Sequence, residues 1–345
     1  MLYHENGYVD IPWIISRGLP FMFVYGGRGT GKTYGALDTV LEQQIKFIYL
    51  RKSQTQADIV GKPEFSPFSP VAAPRGVEIT SAPVAKYLSG FYYGREDGGK
   101  IQPEGAPIGY CMALSTFSNI RGFDASAVDI MIYDEFIAER HERPIKNEAD
   151  ALFNAYETVN RNRELNGKPP LKLLCLANAN TLANPIFIKL ELVRKAVDMR
   201  RRGQEYSLMP ERGIGMFDLF NSEISRAKSD TALYKLTGGS SFAEMAINNK
   251  FDDTPSRIRS APLREYIPLV SVGEITLYRH KGGELLYVTG HKQGTPKTYN
   301  TGDSDLARLR QKYRWVWQKY LLNHIEFEDF AVETLFVNYF RGVSI

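Results

Sequence analysis

A glycine-rich stretch near the start of the chain carries the clearest chemical signal. Residues 26–33 read GGRGTGKT and fit the pattern GxxxxGK[ST]. Glycines let the backbone wrap closely round phosphate groups, and the amide groups at the start of the following helix face the anion. We expect Lys32 to reach the β and γ phosphates of ATP and Thr33 to hold Mg²⁺. The predicted nucleotide-binding residues of this loop are Gly26, Gly27, Arg28, Gly29, Thr30, Gly31, Lys32 and Thr33.

Two adjacent carboxylates further along the chain indicate hydrolysis. Residues 128–135 read VDIMIYDE, an apolar run that ends in two acids. At the end of a buried strand, Asp134 would bind the Mg²⁺ or its water shell, and Glu135 would polarise the attacking water. The alternative is a solvated strand end without chemistry. The position of this pair of acids after a phosphate-binding loop favours a hydrolytic site.

Such a site also needs an arginine to neutralise the charge that develops on the γ phosphate, from the same chain or from a neighbouring subunit. Arg161 and Arg163 end a segment with helical pattern, and Arg28 lies inside the loop. An arginine at a helix C-terminus also interacts favourably with the helix dipole. For each of Arg161 and Arg163, position alone therefore does not distinguish a catalytic role from a structural one. Asn178 follows an apolar strand at a polar tip, where it would sense the γ phosphate through a water or serve only as a turn residue.

The segments that must position these residues alternate between strands and helices. Short apolar runs at 20–25, 47–50, 128–133 and 171–177 predict strands buried on both faces, and helical spacing occurs at 32–44 and 148–163. Strand, helix, strand units imply a mostly parallel sheet. The predicted fold class is therefore α/β, a P-loop NTPase of the ASCE type. We expect 213–220 to be a further strand of this sheet and the sequence REDGGK to form the tip of an edge hairpin.

The pattern changes in the last third of the chain. Residues 266–277 and 284–289 alternate like antiparallel strands around a turn at 280–283, and 306–323 has the pattern of one aromatic-rich helix. We predict a P-loop ATPase domain over residues 1–220, a helical linker over 221–250 and a small α+β domain over 251–345.

Composition narrows the class of protein. The chain is 43% hydrophobic and 24% charged, as in ordinary globular proteins, and no apolar run is long enough to cross a bilayer. Both cysteines lie in apolar runs, and no histidine pair has metal-ligand spacing, so neither a disulfide nor a zinc site is expected. A net charge of +4 permits contact with nucleic acid without requiring it. The simplest expectation is an intracellular protein with no membrane partner.

Taken in order, five motifs resemble one family. GGRGTGKT, KFIYLRKS, IMIYDEF, TVNRNRE and CLANANTLANPIF, spread over roughly residues 20–190, are similar to the genome-packaging (encapsidation) ATPases of small phi29-like podophages, which are related to large terminase motors. The combination is far more specific than any single motif.

This resemblance implies an ATP-driven translocase that packages double-stranded DNA into a viral procapsid through the portal, or connector. It implies a homo-oligomeric ring, commonly of five subunits, in the host cytoplasm and transiently on the procapsid, and it leaves open whether a packaging RNA is used. Carried over residue by residue, it makes Arg161 the finger that acts on the neighbouring subunit, with Arg121 as a further basic candidate. It also implies that the C-terminal domain resembles an RNase H-like nuclease fold without its acidic site and serves for docking.

The residues of the C-terminal part agree with a domain that does not cut DNA. A metal-dependent nuclease needs several carboxylates converging from strand ends, and only Glu274 and Glu284 lie in or near predicted strands. The other acids fit helix caps or surface positions; they are Asp303, Asp305, Glu326, Glu328 and Asp329. Two rival functions remain: a terminase with an active nuclease, and a nucleotide-switched assembly or adaptor protein.

Contacts to DNA phosphates would be independent of sequence, as packaging of any genome requires. The basic candidates, for which a solvated helix face is an equal alternative, are Arg51, Lys52, Arg194, Lys195, Arg200, Arg201 and Arg202.

Overall fold

The computed structural model describes residues 1–120, 122–138, 145–178, 182–227, 231–236 and 258–341. These residues form two compact units. The first contains residues 1–178 and 203–236, and the second contains residues 182–202 and 258–341. The second unit is therefore assembled from two separate parts of the chain.

The regular elements of the described residues are mostly short. In chain order the helices are α1 (Ile11–Ile15), α2 (Lys32–Glu42), α3 (Gln54–Val60), α4 (Ser69–Ala72), α5 (Glu148–Asn160), α6 (Pro185–Lys189), α7 (Val193–Arg201), α8 (Glu223–Ala227), α9 (Ala232–Leu236), α10 (Asp303–Lys312), α11 (Arg314–Leu321) and α12 (Phe330–Phe340). The strands are β1 (Phe21–Gly26), β2 (Phe47–Arg51), β3 (Ile79–Ala85), β4 (Leu88–Asp97), β5 (Lys100–Ala113), β6 (Ile130–Asp134), β7 (Lys172–Asn178), β8 (Tyr206–Met209), β9 (Ile214–Leu219), β10 (Tyr266–Val272), β11 (Ile275–His280), β12 (Leu286–Thr289), β13 (Lys297–Tyr299) and β14 (Ile325–Phe327).

The first unit is built round one sheet with the strand order β3-β4-β5-β2-β6-β7-β1-β9-β8. From β5 to β9 every neighbouring pair is parallel. The central strands are buried on both faces, which is why they appear in the sequence as continuous apolar runs. The predicted mixed α/β fold with a parallel sheet is confirmed, and 213–220 contains the predicted strand, although β8 lies outside it at the edge.

The predicted edge hairpin is also present. Strands β4 and β5 pair antiparallel up to Asp97 and Lys100, and Gly98 and Gly99 form the tip with positive φ angles of 60° and 78°. Two residues with positive φ suit the right-handed twist of the flanking strands. The far end of β5 then pairs in parallel with β2, so the hairpin is continuous with the main sheet.

The parallel order brings the predicted site residues to one edge of this sheet. Strands β2, β6, β7 and β1 are consecutive neighbours, and each ends at a motif. Strand β1 ends in the glycine-rich loop, β2 at Arg51, β6 at Asp134 and β7 at Asn178. Ligands bind at the carboxyl ends of the strands in open α/β sheets.

The domain boundaries differ from the sequence prediction. Residues 182–202, which we assigned to a domain over 1–220, pack with the second unit. Of the predicted linker, residues 221–227 and 231–236 contain α8 and α9 and belong to the first unit, where Ile224 approaches Gly7. The remainder of the linker lies outside the described residues. Tertiary packing decided these boundaries, because the linking segments have no composition that sets them apart.

In the second unit the strand order is β13-β10-β11-β12-β14. The predicted strand over 266–277 is wrong in extent, because Gly273, with a φ of 49°, starts a turn that divides it into the antiparallel pair β10 and β11. The predicted helix over 306–323 is likewise two helices, interrupted at Tyr313, whose ψ of 30° departs from helical geometry. Both errors come from reading one periodicity across a single residue that breaks it.

Helix α7 is fixed to this unit by buried charges. Arg194 lies 3.1 Å from Glu328 and 3.4 Å from Asp329, and only 13% of its side chain is exposed. Glu328 also accepts hydrogen bonds from Thr289 and the amide of Gly290. Burial acts to raise the pKa of Glu328, but these hydrogen bonds and the charge of Arg194 lower this pKa to about 2. Glu328 is therefore neither a helix cap nor a surface residue as predicted, whereas Asp329 does cap α12 by accepting from Val332.

A second carboxylate, Glu274, also holds α7 in this unit by binding the first turn of the helix. It accepts hydrogen bonds from the amides of Val193 and Arg194 at 3.2 and 2.8 Å, at the first turn of α7. Burial raises the pKa of Glu274 to about 7, even though these hydrogen bonds act in the opposite direction. Glu274 thus has a structural partner on each oxygen.

This pKa predicts how stability depends on pH. The folded protein holds the Glu274 proton more tightly than the unfolded chain, so its contribution is complete below about pH 4.5 and is lost as the pH rises through about 7. We expect stability to fall less between about pH 5 and pH 8 in Glu274→Gln than in the wild type, measured by urea unfolding, although glutamine offers only one oxygen to the two backbone amides and so lowers stability equally at both pH values. Glu284→Gln, at an exposed carboxylate paired with Lys319, is the control and should leave this pH dependence unchanged. A Glu274→Gln protein whose stability falls with pH as steeply as that of the wild type would contradict the prediction.

Candidate functional site

The glycine-rich loop joins β1 to α2, and the side chain of its lysine hydrogen bonds back to the loop. Lys32 donates to the carbonyl of Gly27 at 2.7 Å and to Thr30 Oγ1 at 3.2 Å. Gly29 and Gly31 have φ angles of 69° and 86°, which only glycine adopts without strain. A Cβ at Gly31 would also lie 3.0 Å from the ring of Tyr8, so the residue is required on both counts.

The predicted metal ligands face each other across the loop. Thr33 Oγ1 lies 3.0 Å from Asp134 Oδ2 and 3.2 Å from Oδ1. Tyr49 donates its hydroxyl to the same carboxylate at 2.5 Å, and burial together with the charge of Asp134 raises the pKa of Tyr49 well above its usual range. A hydroxyl and a carboxylate are ligands that suit Mg²⁺ when phosphate oxygens and water complete the octahedron. The described residues contain no group of three or more His, Cys, Asp or Glu side chains that could hold a metal by themselves.

Glu135 follows directly after this strand in a strained conformation. Its φ is 61°, unusual for a residue with a side chain, and 41% of the side chain is exposed. Strain of this kind costs about 1–3 kcal/mol and is found where function needs a side chain in a fixed direction. In this conformation the carboxylate contacts Arg51, which ends the neighbouring strand β2.

Arg51 is a site residue that the sequence offered only as one of several candidates for DNA contact. Its guanidinium lies 2.5 Å from Glu135 Oε2 and 3.2 Å from Asp134 Oδ2, with 12% of the side chain exposed. Burial acts to lower the pKa of Arg51, but Tyr49, Asp134 and Glu135 raise it beyond its normal value, so the charge is permanent. Its Nε is buried and makes no hydrogen bond among the described residues. Arg51 is the last residue of β2, the strand next to β6, and this position is the signal that could have indicated a site residue.

Two other candidates for DNA contact are also held in ion pairs. Lys52 pairs with Glu148 in the interior of the first unit, and Arg194 is enclosed by Glu328 and Asp329. These side chains have buried partners and are not presented to a solvent-borne ligand. Lys195, Arg200, Arg201 and Arg202 remain predictions, although Arg201 already pairs with Asp329 at 2.6 Å.

Asn178 lies beside Lys32, the predicted phosphate-binding lysine. Its Oδ1 accepts from Lys32 Nζ at 3.4 Å, at the end of the strand adjacent to β1. The structure therefore brings together, at one sheet edge, Lys32, Thr33, Asp134, Glu135 and Asn178. Arg28 is exposed on the loop.

The arginines after α5 lie at the opposite edge of the sheet. Helix α5 returns from the carboxyl edge to the start of β7, a path of about 20 Å for its 13 residues. Arg161 is exposed there and donates to the carbonyls of Phe123 and Thr158. Arg163 binds the carbonyl of Val128 and the carboxylate of Asp129 at the start of β6, with 11% of its side chain exposed. Neither arginine reaches the loop of its own chain, and Arg121 lies outside the described residues.

A cavity of about 1120 Å³ opens beside the loop. One wall is the glycine-rich loop with the first turns of α2, and the other is the N-terminal segment that precedes α1. This segment is fixed to the loop by a hydrogen bond from the amide of Val9 to the carbonyl of Thr30. Tyr8 and Tyr34, which are 42% and 45% exposed, line the cavity together with His4. Aromatic rings of this kind offer faces on which a planar base can stack.

Comparison with known proteins now identifies the family. A model of the podovirus DNA encapsidation protein (Gp16) matches residues 96–277, more than half of the chain. The chain belongs to this family. A DNA packaging protein of Bacillus phage B103 is 28% identical over 343 residues, covering 94% of this chain and 97% of the relative. A DNA packaging protein of Bacillus phage phi29 is 25% identical over 342 residues, covering 94% of each.

Two solved structures share the fold of this encapsidation-family chain. The Phi-28 gp11 DNA packaging motor superposes with a TM-score of 0.62 at 18% identity, covering 99% of this chain and all of the other. The bacteriophage Phi-29 genome packaging motor assembly gives a TM-score of 0.58 at 20% identity, covering 99% of both. Within the described residues, no helix is both long and apolar enough to cross a membrane.

Proposed function

We propose that this protein is an ATP-driven double-stranded DNA translocase that packages a viral genome into a procapsid through the portal. The observation that carries the proposal is the convergence of Lys32, Thr33, Asp134 and Glu135 on one sheet edge, in a member of the DNA encapsidation family. Strand β7 lies between β1 and β6, the arrangement expected of the ASCE type of P-loop NTPase.

Each side chain then has a defined task. Lys32 holds the β and γ phosphates, while Thr33 and Asp134 bind Mg²⁺, which would neutralise the charge on the phosphate oxygens. Glu135 orients the attacking water and takes up its proton. Arg51 holds Glu135 in position, and Asn178, in contact with Lys32, responds to the γ phosphate.

The position of Arg161 supports the proposed ring. This exposed side chain cannot serve the site of its own chain, because α5 separates the two by about 20 Å. Leu165 lies close in sequence and is 83% exposed, and an apolar side chain beside an exposed arginine suits a protein interface. We therefore assign Arg161 as the finger that acts on the adjacent subunit of a homo-oligomeric ring, with five as the family's common number.

The cavity beside the loop would hold the nucleoside, with its base against Tyr8. Tyr8→Leu keeps an apolar contact to Gly31 but removes the ring, so ATP should bind about tenfold or more weakly. Inorganic tripolyphosphate, which has no base, should bind equally well to both proteins in calorimetric titration. Tyr93→Leu, at an exposed tyrosine on the hairpin, is the control. An equal loss of affinity for ATP and tripolyphosphate would count against a base-stacking role.

The direct test is a purified ring whose ATP hydrolysis rises with double-stranded DNA. Negligible turnover with and without DNA would favour the nucleotide-switched adaptor instead. Supercoiled plasmid with Mg²⁺ or Mn²⁺ tests the nuclease alternative, since cleavage that Glu274→Gln abolishes would favour an active terminase nuclease. We expect no cleavage, because Glu274 caps α7.

The remaining partners follow from the same proposal. The protein would act in the host cytoplasm and transiently on the procapsid, with double-stranded DNA and the portal as partners and a packaging RNA left open. The second unit would serve docking and resemble a nuclease fold that lacks its acidic site.

A further inference from the structure

A buried ion pair in the first unit has no part in the chemistry described so far. Lys52 Nζ lies 3.0 Å from Glu148 Oε1, and only 4% and 1% of these side chains are exposed. Tyr133 donates its hydroxyl to the same oxygen at 2.6 Å. Burial raises the pKa of Tyr133 well above its usual range, so the phenol remains a donor. Lys52, Tyr133 and Glu148 therefore form one closed, desolvated triad.

Two members of this triad are sequence neighbours of site residues. Lys52 follows Arg51, and Tyr133 precedes Asp134. Successive side chains of a strand point to opposite faces, so Arg51 and Asp134 meet on one face while the triad forms on the other. The face with Arg51 holds the catalytic carboxylates, and the opposite face holds α5.

The third member belongs to α5 itself. Glu148 is the first residue of this helix, and Arg161 follows its last residue. A helix transmits displacement along its axis because its backbone hydrogen bonds are internal and stiff. The triad therefore lies between the strand ends that carry Arg51 and Asp134 and the start of the helix whose far end carries Arg161.

We infer that Lys52, Tyr133 and Glu148 are positioning residues that connect the ATP site of one subunit to the arginine which that subunit offers its neighbour. This inference rests on the proposed ring ATPase. It assigns to the triad the coordination between adjacent sites, while the chemistry of each site stays with Lys32, Asp134 and Glu135. In a ring with this connection, a subunit held with ATP bound also holds back the finger that its neighbour receives.

The test mixes subunits and reads the shape of an inhibition curve. Glu135→Gln subunits, which bind ATP without hydrolysing it, are added in increasing proportion to active subunits. With the triad intact, half of such subunits should lower the ATPase rate to about a quarter, since a site works only when it is itself intact and its finger donor is not held in the ATP-bound state. In rings whose subunits all carry Lys52→Met, Tyr133→Phe and Glu148→Met, the rate should fall only to about half, because each site then works independently.

The triple replacement avoids leaving a single buried charge without a partner, which would unfold the helix attachment. Tyr156→Phe removes a tyrosine hydrogen bond to Leu171 from the same helix and is the matched control, with the steep curve expected to persist. An equally steep curve in the triple variant would overturn the inference. Absence of ATP hydrolysis in unmixed wild-type rings would instead refute the proposed function, so the two failures are distinguishable.

Discussion

Glu135→Gln is expected to lower DNA-stimulated ATP hydrolysis by about 10²–10⁴-fold while ATP still binds. Glutamine has the same shape and still hydrogen bonds, but it cannot take a proton from the attacking water. The contact from Arg51 to Asp134 remains, so the metal side of the site is preserved. Release of inorganic phosphate measures the loss, and titration with a fluorescent ATP analogue measures the retained binding.

A control carboxylate separates this effect from a change in charge. Glu104→Gln replaces an exposed acid on the hairpin, paired with Arg95 at 3.8 Å, and should leave turnover near the wild-type rate. Substantial phosphate release by Glu135→Gln would show that another group activates the water. Loss of ATP binding along with turnover would mean instead that Glu135 supports the nucleotide pocket.

Arg161→Ala should lower turnover by about 10³–10⁵-fold, the range measured for arginines that stabilise phosphoryl transfer from a partner. Because Arg161 lies at the sheet edge opposite its own loop, the loss should be repaired by a second subunit type. Lys32→Ala subunits have no functional phosphate site but retain Arg161. Mixing the two inactive proteins should therefore recover part of the ATPase activity, at the interfaces where one supplies Lys32 and the other Arg161.

Arg163 provides the comparison two residues away. Its guanidinium holds Val128 and Asp129 together with the end of the helix, so Arg163→Ala should lower the thermal midpoint by several degrees. Arg163→Ala subunits should retain activity of their own. Mixing them with Lys32→Ala subunits should therefore give no activity beyond this retained activity. No recovery at any ratio for the Arg161→Ala mixture would contradict a finger that acts between subunits.

The strained backbone at Glu135 and the ion pair with Arg51 belong to one arrangement. A positive φ turns the carboxylate out of the strand direction, and Arg51 receives it at 2.5 Å. Neither property can be read from the letters DE, because strain and pairing depend on the adjacent strand β2. The sequence shows a basic residue after β2 that suits either DNA contact or a solvated face, and only the pairing of β2 with β6 places it beside Asp134 and Glu135.

The local sequence was sufficient for the elements that depend on nearest neighbours. Strands β1, β2, β6 and β7 are continuous apolar runs because both of their faces are covered, and the loop at 26–33 is recognisable because its glycines and lysine must be adjacent. The order of these motifs along the chain was enough to suggest the family to which the chain belongs.

Only the tertiary structure decided which distant residues meet. Arg51, Lys52 and Glu148 gained their partners through strand order and through the face of the sheet on which each side chain emerges. The same holds for residues 182–202, whose attachment depends on Glu274 and Glu328 from much later in the chain. Spacing along the sequence determines local conformation. Ion pairs between separate elements depend instead on how those elements pack. The amino-acid pattern round either partner alone does not specify this packing.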